Sequence, residues 1–270
     1  GAITMVLLLA IIIGLIFIHE LGHYVAGRLS GFGIEEFAIG FGKELASFNA
    51  LGNKWSFRLI PLGGYVRFEG EADYDNVLQS KTSFWGKHPL QRLFVALAGP
   101  AANLLLPYAL FFVYFHGMPW PDVKAPDGSE VGKISAYWAA KASINTTNNL
   151  YASIGEAVSQ LGDRGIKATD VGGPVAMYDM TEQARKQSSS TKDNGFLYQW
   201  IAFLSINIGF MNLLPIPLLD GGHVVISIVE TVIGRNIKRR TRNILTYVGL
   251  AIVGLIMCLA IFSDVGRLFS

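Results

Sequence analysis

The sequence predicts a polytopic α-helical membrane protein with about four transmembrane helices and a small membrane-associated β-sheet. Three observations carry this. Hydrophobic residues make up 51% of the 270 and charged residues 16%, with a mean hydropathy of +0.39, whereas soluble domains carry about 25% charged residues. The apolar residues are gathered into four blocks, about Ile3–Ala26, Leu93–Phe115, Phe196–Pro215 and Ile244–Phe262. Each is long enough, at 1.5 Å per residue, to cross or nearly cross about 30 Å of hydrocarbon. Between Glu36 and Phe68 the pattern changes to short strand-like pieces broken by glycine.

Composition also excludes some classes of function. A net charge of +2, with no basic stripe interleaved with aromatics, gives no reason to expect a nucleic-acid partner. Cys258, the single cysteine, lies in an apolar run, so disulfides and cysteine-based zinc sites are ruled out.

The first block resembles a signal peptide in position, but no basic region precedes it, and His19-Glu20-Leu21-Gly22-His23 stands where small cleavage-site residues belong. Gly1 in place of Met reads as a processing or cloning scar. Residues four apart share a helix face, so His19 and His23 can present both imidazoles to one metal ion, with Glu20 beside the water to be activated. His19 lies roughly 16 residues, or about 24 Å, into the span, and ionisable side chains at that depth need a functional reason. This combination implies a hydrolase whose substrate is itself in the bilayer.

Next come the predicted strands Phe37–Phe41, Trp55–Ile60 and Tyr65–Phe68, in which Trp55, Phe57 and Leu59 alternate with Ser56 and Arg58. A sheet near the metal could receive an extended substrate segment as an added edge strand. Glu69–Ser80 reads as a solvated acidic loop, and Ser83–Arg92 has the aromatic composition of a membrane interface. His88 and His116 lack partner spacing and read as surface histidines.

After the second span, Ile144, Tyr151, Ile154, Val158 and Leu161 recur at helical spacing and predict an amphipathic helix. Gln187–Asn194, with three serines, reads as a loop. At the end of the third span, polar Asn207 and Asn212 precede a stretch broken by Pro215 and Pro217 that continues to Asp220-Gly221-Gly222-His223. Broken helices occur at membrane depth only where they line a protein-enclosed cavity, so this stretch offers candidates for a third ligand, Asp220 and His223 among them. Four spans place both termini on one side. Arg28, Lys87, Arg92, Arg235, Lys238, Arg239, Arg240 and Arg242 near the span ends put the intervening loops in the cytoplasm, the termini outside and the metal site toward the cytoplasmic face.

These motifs together resemble the site-2 protease family of intramembrane zinc metalloproteases. The resemblance rests on HELGH in the first span, Gly99-Pro100-Ala101-Ala102-Asn103 in the second, and Asn212 through Gly222 around the third. Phe37–Gly42, Ile60–Val66 and Phe262–Leu268 add to it, so it covers nearly the whole chain. It is nearest to the bacterial group that cleaves anti-sigma factors and remnant signal peptides. It implies one Zn2+ per chain held by His19, His23 and Asp220, with His223 the rival to Asp220, and two imidazoles with one carboxylate suit such a site. Glu20 would be the general base and Asn212 the donor to the carbonyl or its oxyanion. Asn103 reads as a packing residue. The family also has a reentrant β-hairpin at residues 34–70, and substrate contacts are expected from Gly40, Phe41, Gly42, Gly63, Gly64 and Tyr65.

The expected organisation is residues 1–115, with the first two spans and the β region; 116–195, extracytoplasmic with an amphipathic helix; and 196–270, with the last two spans. Relatives in this group carry PDZ domains between the second and third spans, but the roughly 80 residues here cannot hold both the helix and such a domain. Expected partners are the lipid bilayer, single-span substrates and an upstream site-1 type protease, and the expected location is the inner membrane. Two competing readings remain: a transporter using the same intramembrane ligands, and an inactive relative that binds transmembrane helices.

Overall fold

The computed structural model describes residues 1–71, 80–117, 135–164, 173–191 and 193–268. Its elements in order are α1 (Ala2–Leu29), β1 (Ile34–Ala50), β2 (Asn53–Phe68), α2 (Pro89–Gly117), α3 (Ala136–Arg164), α4 (Pro174–Thr191), α5 (Gly195–Leu213), α6 (Asp220–Ile233) and α7 (Arg239–Leu268). Four of these helices, α1, α2, α5 and α7, are long and apolar enough to cross a membrane. The protein is therefore polytopic and helical with one small sheet, as its composition predicts. Large apolar side chains such as Ile3, Leu105, Leu255 and Phe262 lie exposed on those helices, where lipid rather than water would meet them.

The chain divides into two compact units. The first comprises Gly1–Leu104 and Asn207–Cys258. Here α1 ends in a Schellman motif: the Phe32 N–H donates to Gly27 O at 2.9 Å and the Gly31 N–H to Arg28 O at 3.1 Å, with Gly31 in the left-handed region at φ 70. The chain then enters the sheet. β1 and β2 are joined by the two-residue turn Leu51–Gly52, and both strands bend. As a result, Glu36–Ile39 pair with Arg67–Gly64 on one side and with Lys54–Phe57 on the other. The outer half of β1, as far as Ala50, pairs back against Arg58–Asn53.

Phe37, Ile39, Val66 and Phe68 of this sheet pack with Tyr24 of α1, Phe84, Trp85 and Val95 into the apolar core of the unit. Glu36 is buried in the sheet beside Arg58 Nη2 at 2.7 Å and accepts from Ser56 and Tyr65 at 2.8 and 2.9 Å. Burial alone would raise its pKa, but these donors hold the carboxyl down to about 2. At the far end of the hairpin Leu45, Phe48, Leu51, Phe57 and Leu59 are exposed, an apolar surface suited to lipid contact.

A buried ion cluster ties the helices of this unit together. Glu230 of α6, 0% exposed, lies 2.9 Å from Arg92 of α2 and 3.2 Å from Arg242 of α7, and its Oε1 also accepts the Ile237 N–H at 2.7 Å. Arg242 is stacked over Trp85 at 3.5 Å, and Arg92 donates to Asn236 Oδ1 at 2.7 Å. Removing one partner from such a cluster would leave an uncompensated buried charge.

The second unit comprises Leu105–Ile206 and Leu259–Ser270. A helix forms at the predicted place as α3, but its buried positions are Ala139, Ser143 and Thr147, while Ile144 and Val158 of the predicted apolar face are exposed; Asn148 accepts from the Tyr108 hydroxyl at 2.9 Å and Tyr151 packs against the Tyr108 ring. In α4, Thr181 accepts from Trp200 Nε1 at 3.0 Å. Asp264 caps the start of α4 by accepting the Val175 N–H at 2.8 Å and the Gly173 N–H at 3.3 Å. The loop predicted at Gln187–Asn194 is helical as far as Thr191. Most of its hydroxyls bond back along the helix, Ser189 to Arg185 O at 2.9 Å, Ser190 to Gln187 O at 2.9 Å and Thr191 to Gln187 O at 2.8 Å, while Ser188 donates to Asn194 Oδ1 beyond the helix end. Residues 72–79 of the predicted acidic loop and 118–134 of the expected extracytoplasmic segment lie outside the described residues.

Candidate active site

His19, Glu20 and His23 occupy one face of α1 and are 7, 8 and 8% exposed. α6 brings Asp220 to the same point. Its Oδ2 lies 2.9 Å from His19 Nε2 and 3.3 Å from His23 Nε2, and the two Nε2 atoms are 3.2 Å apart. Among the described residues, these three are the ones whose ligand atoms converge. Tetrahedral zinc with bonds of about 2.0–2.2 Å to nitrogen and oxygen would have ligand atoms roughly 3.3 Å apart, so the spacing fits.

The protonation pattern fits as well. His23 Nδ1 lies 2.8 Å from Val95 O. A carbonyl only accepts, so Nδ1 carries the proton, and Nε2 directs a lone pair at the other ligands. Asp220 Oδ2 is buried against the two imidazole Nε2 atoms, and His19 Nδ1 is buried with no hydrogen-bond partner among the described residues. Three electron-pair donors this close repel one another unless a cation lies between them.

Local sequence explains how these side chains come together. Pro215 and Pro217 end α5, and the chain turns through Leu219 into α6. A Cβ on Gly221 would lie 2.2 Å from Leu214 O and one on Gly222 2.4 Å from Ile216 O, so only glycines allow the first turn of α6 to pack against this break. Two further glycines shape the site. A Cβ on Gly99 would lie 2.2 Å from His23 Nε2, and one on Gly64 2.7 Å from Glu20 Cγ. The second span and the sheet thus press directly against a ligand and the carboxylate beside it.

A cavity of about 510 Å³ opens here. His19, Glu20, His23, Asn212 and Asp220 line it, together with Phe41, Gly63, Gly64 and Tyr65 of the sheet. Gly40 and Gly42 lie elsewhere in the sheet: Gly40 packs against the carbonyls of Arg58 and Ile60, and Gly42 O accepts from Arg58 at 3.0 Å. His223 lines the cavity but is not in the converging set. His88 and His116 are exposed and Asn103 is fully buried, as expected.

Sequence reading missed Val95, whose contribution is a backbone carbonyl and leaves no side-chain signal. It also assigned Glu71 to a solvated loop. Instead Glu71 lines the cavity, and burial pushes its carboxyl up to about 7 against the lowering effect of the Phe68 N–H. Trp85, which donates to Glu71 O at 3.0 Å, draws that end of the loop inward.

Apolar spans around a cavity that holds two imidazoles and two carboxylates fit the site of a membrane metallohydrolase. Similarity to known proteins specifies the class. The profile of peptidase family M50 matches residues 7–256, and the chain belongs to that family, the site-2 protease family of zinc metalloproteases. A protein designated a zinc metalloprotease in Rickettsia conorii is 29% identical over 95% of this chain and 96% of the relative. Similarly designated proteins of Campylobacter jejuni and Helicobacter pylori are 26% and 27% identical, covering 95% and 98% of this chain and 91% and 99% of the relatives. The alignment to the Rickettsia protein runs over 359 positions, more than the 270 residues of this chain, so the relative carries inserted residues.

Proposed function

We infer that this zinc metalloprotease cuts a peptide bond in or near the transmembrane segment of a single-span protein. Anti-sigma factors and remnant signal peptides are the substrate types, reached after an upstream site-1 type protease has trimmed the substrate's exterior. The observation that carries this reading is the convergence of Asp220, at the start of α6, on His19 and His23 within an apolar span, in a cavity whose wall includes the Gly63–Val66 edge of the sheet. Among the described residues that edge has no strand partner beyond β1. A transmembrane helix is a poor protease substrate because its carbonyls are already hydrogen-bonded. An unpaired sheet edge offers backbone partners to a locally unwound segment, which would lie extended past the metal ligands. Tyr65 and Gly64 on that edge would contact the substrate directly.

His19, His23 and Asp220 would hold one Zn2+ per chain. When bound there, zinc supplies Lewis acidity, polarising the scissile carbonyl and acidifying water. Glu20 takes the proton from the attacking water and passes it to the leaving amine. Asn212 donates to the carbonyl oxygen as negative charge develops on it. Gly64 holds the Glu20 side chain in place, and the Val95 carbonyl holds the His23 tautomer. The basic span ends support an inner-membrane protein with extracytoplasmic termini and the site toward the cytoplasm.

Reconstitution with a panel of single-span peptides, followed by mass spectrometry of the fragments, tests this reading. Fragment masses are expected to place the cut inside or within a few residues of the apolar segment. Cuts confined to the water-exposed tails would refute it.

A further inference from the structure

A second cavity, of about 420 Å³, lies in the first unit away from the metal ligands. Lys87 and His88, just before α2, form one wall, and Glu230, Thr231, Arg235 and Asn236, at the end of α6 and beyond it, form the other. Its place in the fold is informative. α2 begins at Pro89 and α7 at Arg239, while Lys87 donates to Ser30 O, the cap of α1, at 2.9 Å. The start of α2 therefore lines this cavity, α1 ends one hydrogen bond away from it and α7 begins three residues after Asn236, a polar border of the spans where lipid headgroups would lie.

Its charge is strongly positive. The one carboxylate in the wall, Glu230, is already bound by two guanidiniums, those of Arg92 and Arg242, so the cluster it belongs to carries a net positive charge. Lys87 and Arg235 add two cations, and among the described residues neither has a carboxylate partner. Arg28, Lys238, Arg239 and Arg240 stand near the same helix ends. A cavity lined by two cations, an imidazole, a hydroxyl and an amide, whose one carboxylate is already paired with two guanidiniums, fits a phosphate group carried on acyl chains.

We propose that this cavity binds the phosphodiester headgroup of an anionic glycerophospholipid, with Lys87 and Arg235 as the main cationic contacts. The site is independent of the proteolytic reading, since none of these residues touches the metal-ligand cavity except through the Arg92–Glu230 pair. Bound lipid would bridge the chain before α2 to the α6–α7 connection.

The test is native mass spectrometry of the purified full chain from detergent, titrated with phosphatidylglycerol or phosphatidylcholine of matched chain length, and separately with inorganic phosphate. Phosphatidylglycerol is expected to be retained about tenfold better than phosphatidylcholine, and the Lys87→Gln/Arg235→Gln double variant to lose that preference. Lys87→Arg/Arg235→Lys, which keeps both charges, is expected to retain it. Should the Gln variant fold poorly, the wild-type comparison of the two lipids still decides. Equal retention of both lipids, or a correctly folded Gln variant that still prefers phosphatidylglycerol, would overturn the proposal. Inorganic phosphate retained as well as phosphatidylglycerol would overturn the lipid assignment and leave a bare anion site.

Discussion

Glu20→Gln is expected to bind zinc at the wild-type level and lose cleavage by at least about 10²-fold, within the 10²–10⁴ range of a general base. Glu20 lines the cavity beside the converging ligands but is not one of them, so the metal-binding set is left intact. Gln has nearly the same volume, and Gly64 would press on its Cγ as it does on that of Glu20, so packing is preserved while the proton acceptor is lost. Metal analysis per chain and product quantification on the same sample separate the two effects. Normal turnover by the variant would remove Glu20 from the mechanism.

Asp220→Ala is expected to lower bound zinc well below one per chain and abolish cleavage with it. Two imidazoles alone make an incomplete site, and His19 and His23 would lose the carboxylate oxygen 2.9 and 3.3 Å from their Nε2 atoms. Asp220 also lies in the first turn of α6, where a negative charge stabilises the helix by about 0.3–1 kcal/mol. Circular dichroism should therefore show little change in helix content while zinc is lost. Unchanged zinc stoichiometry would point to His223, which lines the same cavity, as the third ligand.

Features with a local signature were legible in the sequence. The His19–His23 pair follows from helical spacing alone, and the four spans from runs of apolar residues. The strands could be read from alternation, but their pairing could not, because period two does not say that Glu36–Ile39 will lie between two pieces of β2. Asp220 needed a motif, since nearly 200 residues separate it from His23 and only tertiary packing brings them together. The Arg92–Glu230–Arg242 cluster was illegible for the same reason: read singly, Arg92 and Arg242 are ordinary span-end cations, whereas in the fold they close around one buried carboxylate. The serines of α4 misled in the other direction. Their composition favours a loop, but hydroxyls bonded back to carbonyls one turn earlier are compatible with a helix.

Hydrolysis is expected to depend on zinc held by His19, His23 and Asp220 in the cavity beside the first span. The most direct measurement is cleavage of a single-span substrate by the reconstituted chain before chelation, after chelation, and after stepwise return of zinc. Activity is expected to vanish with the metal and to return in proportion up to one zinc per chain. Cleavage that persists in a fully metal-depleted sample would remove zinc from the reaction.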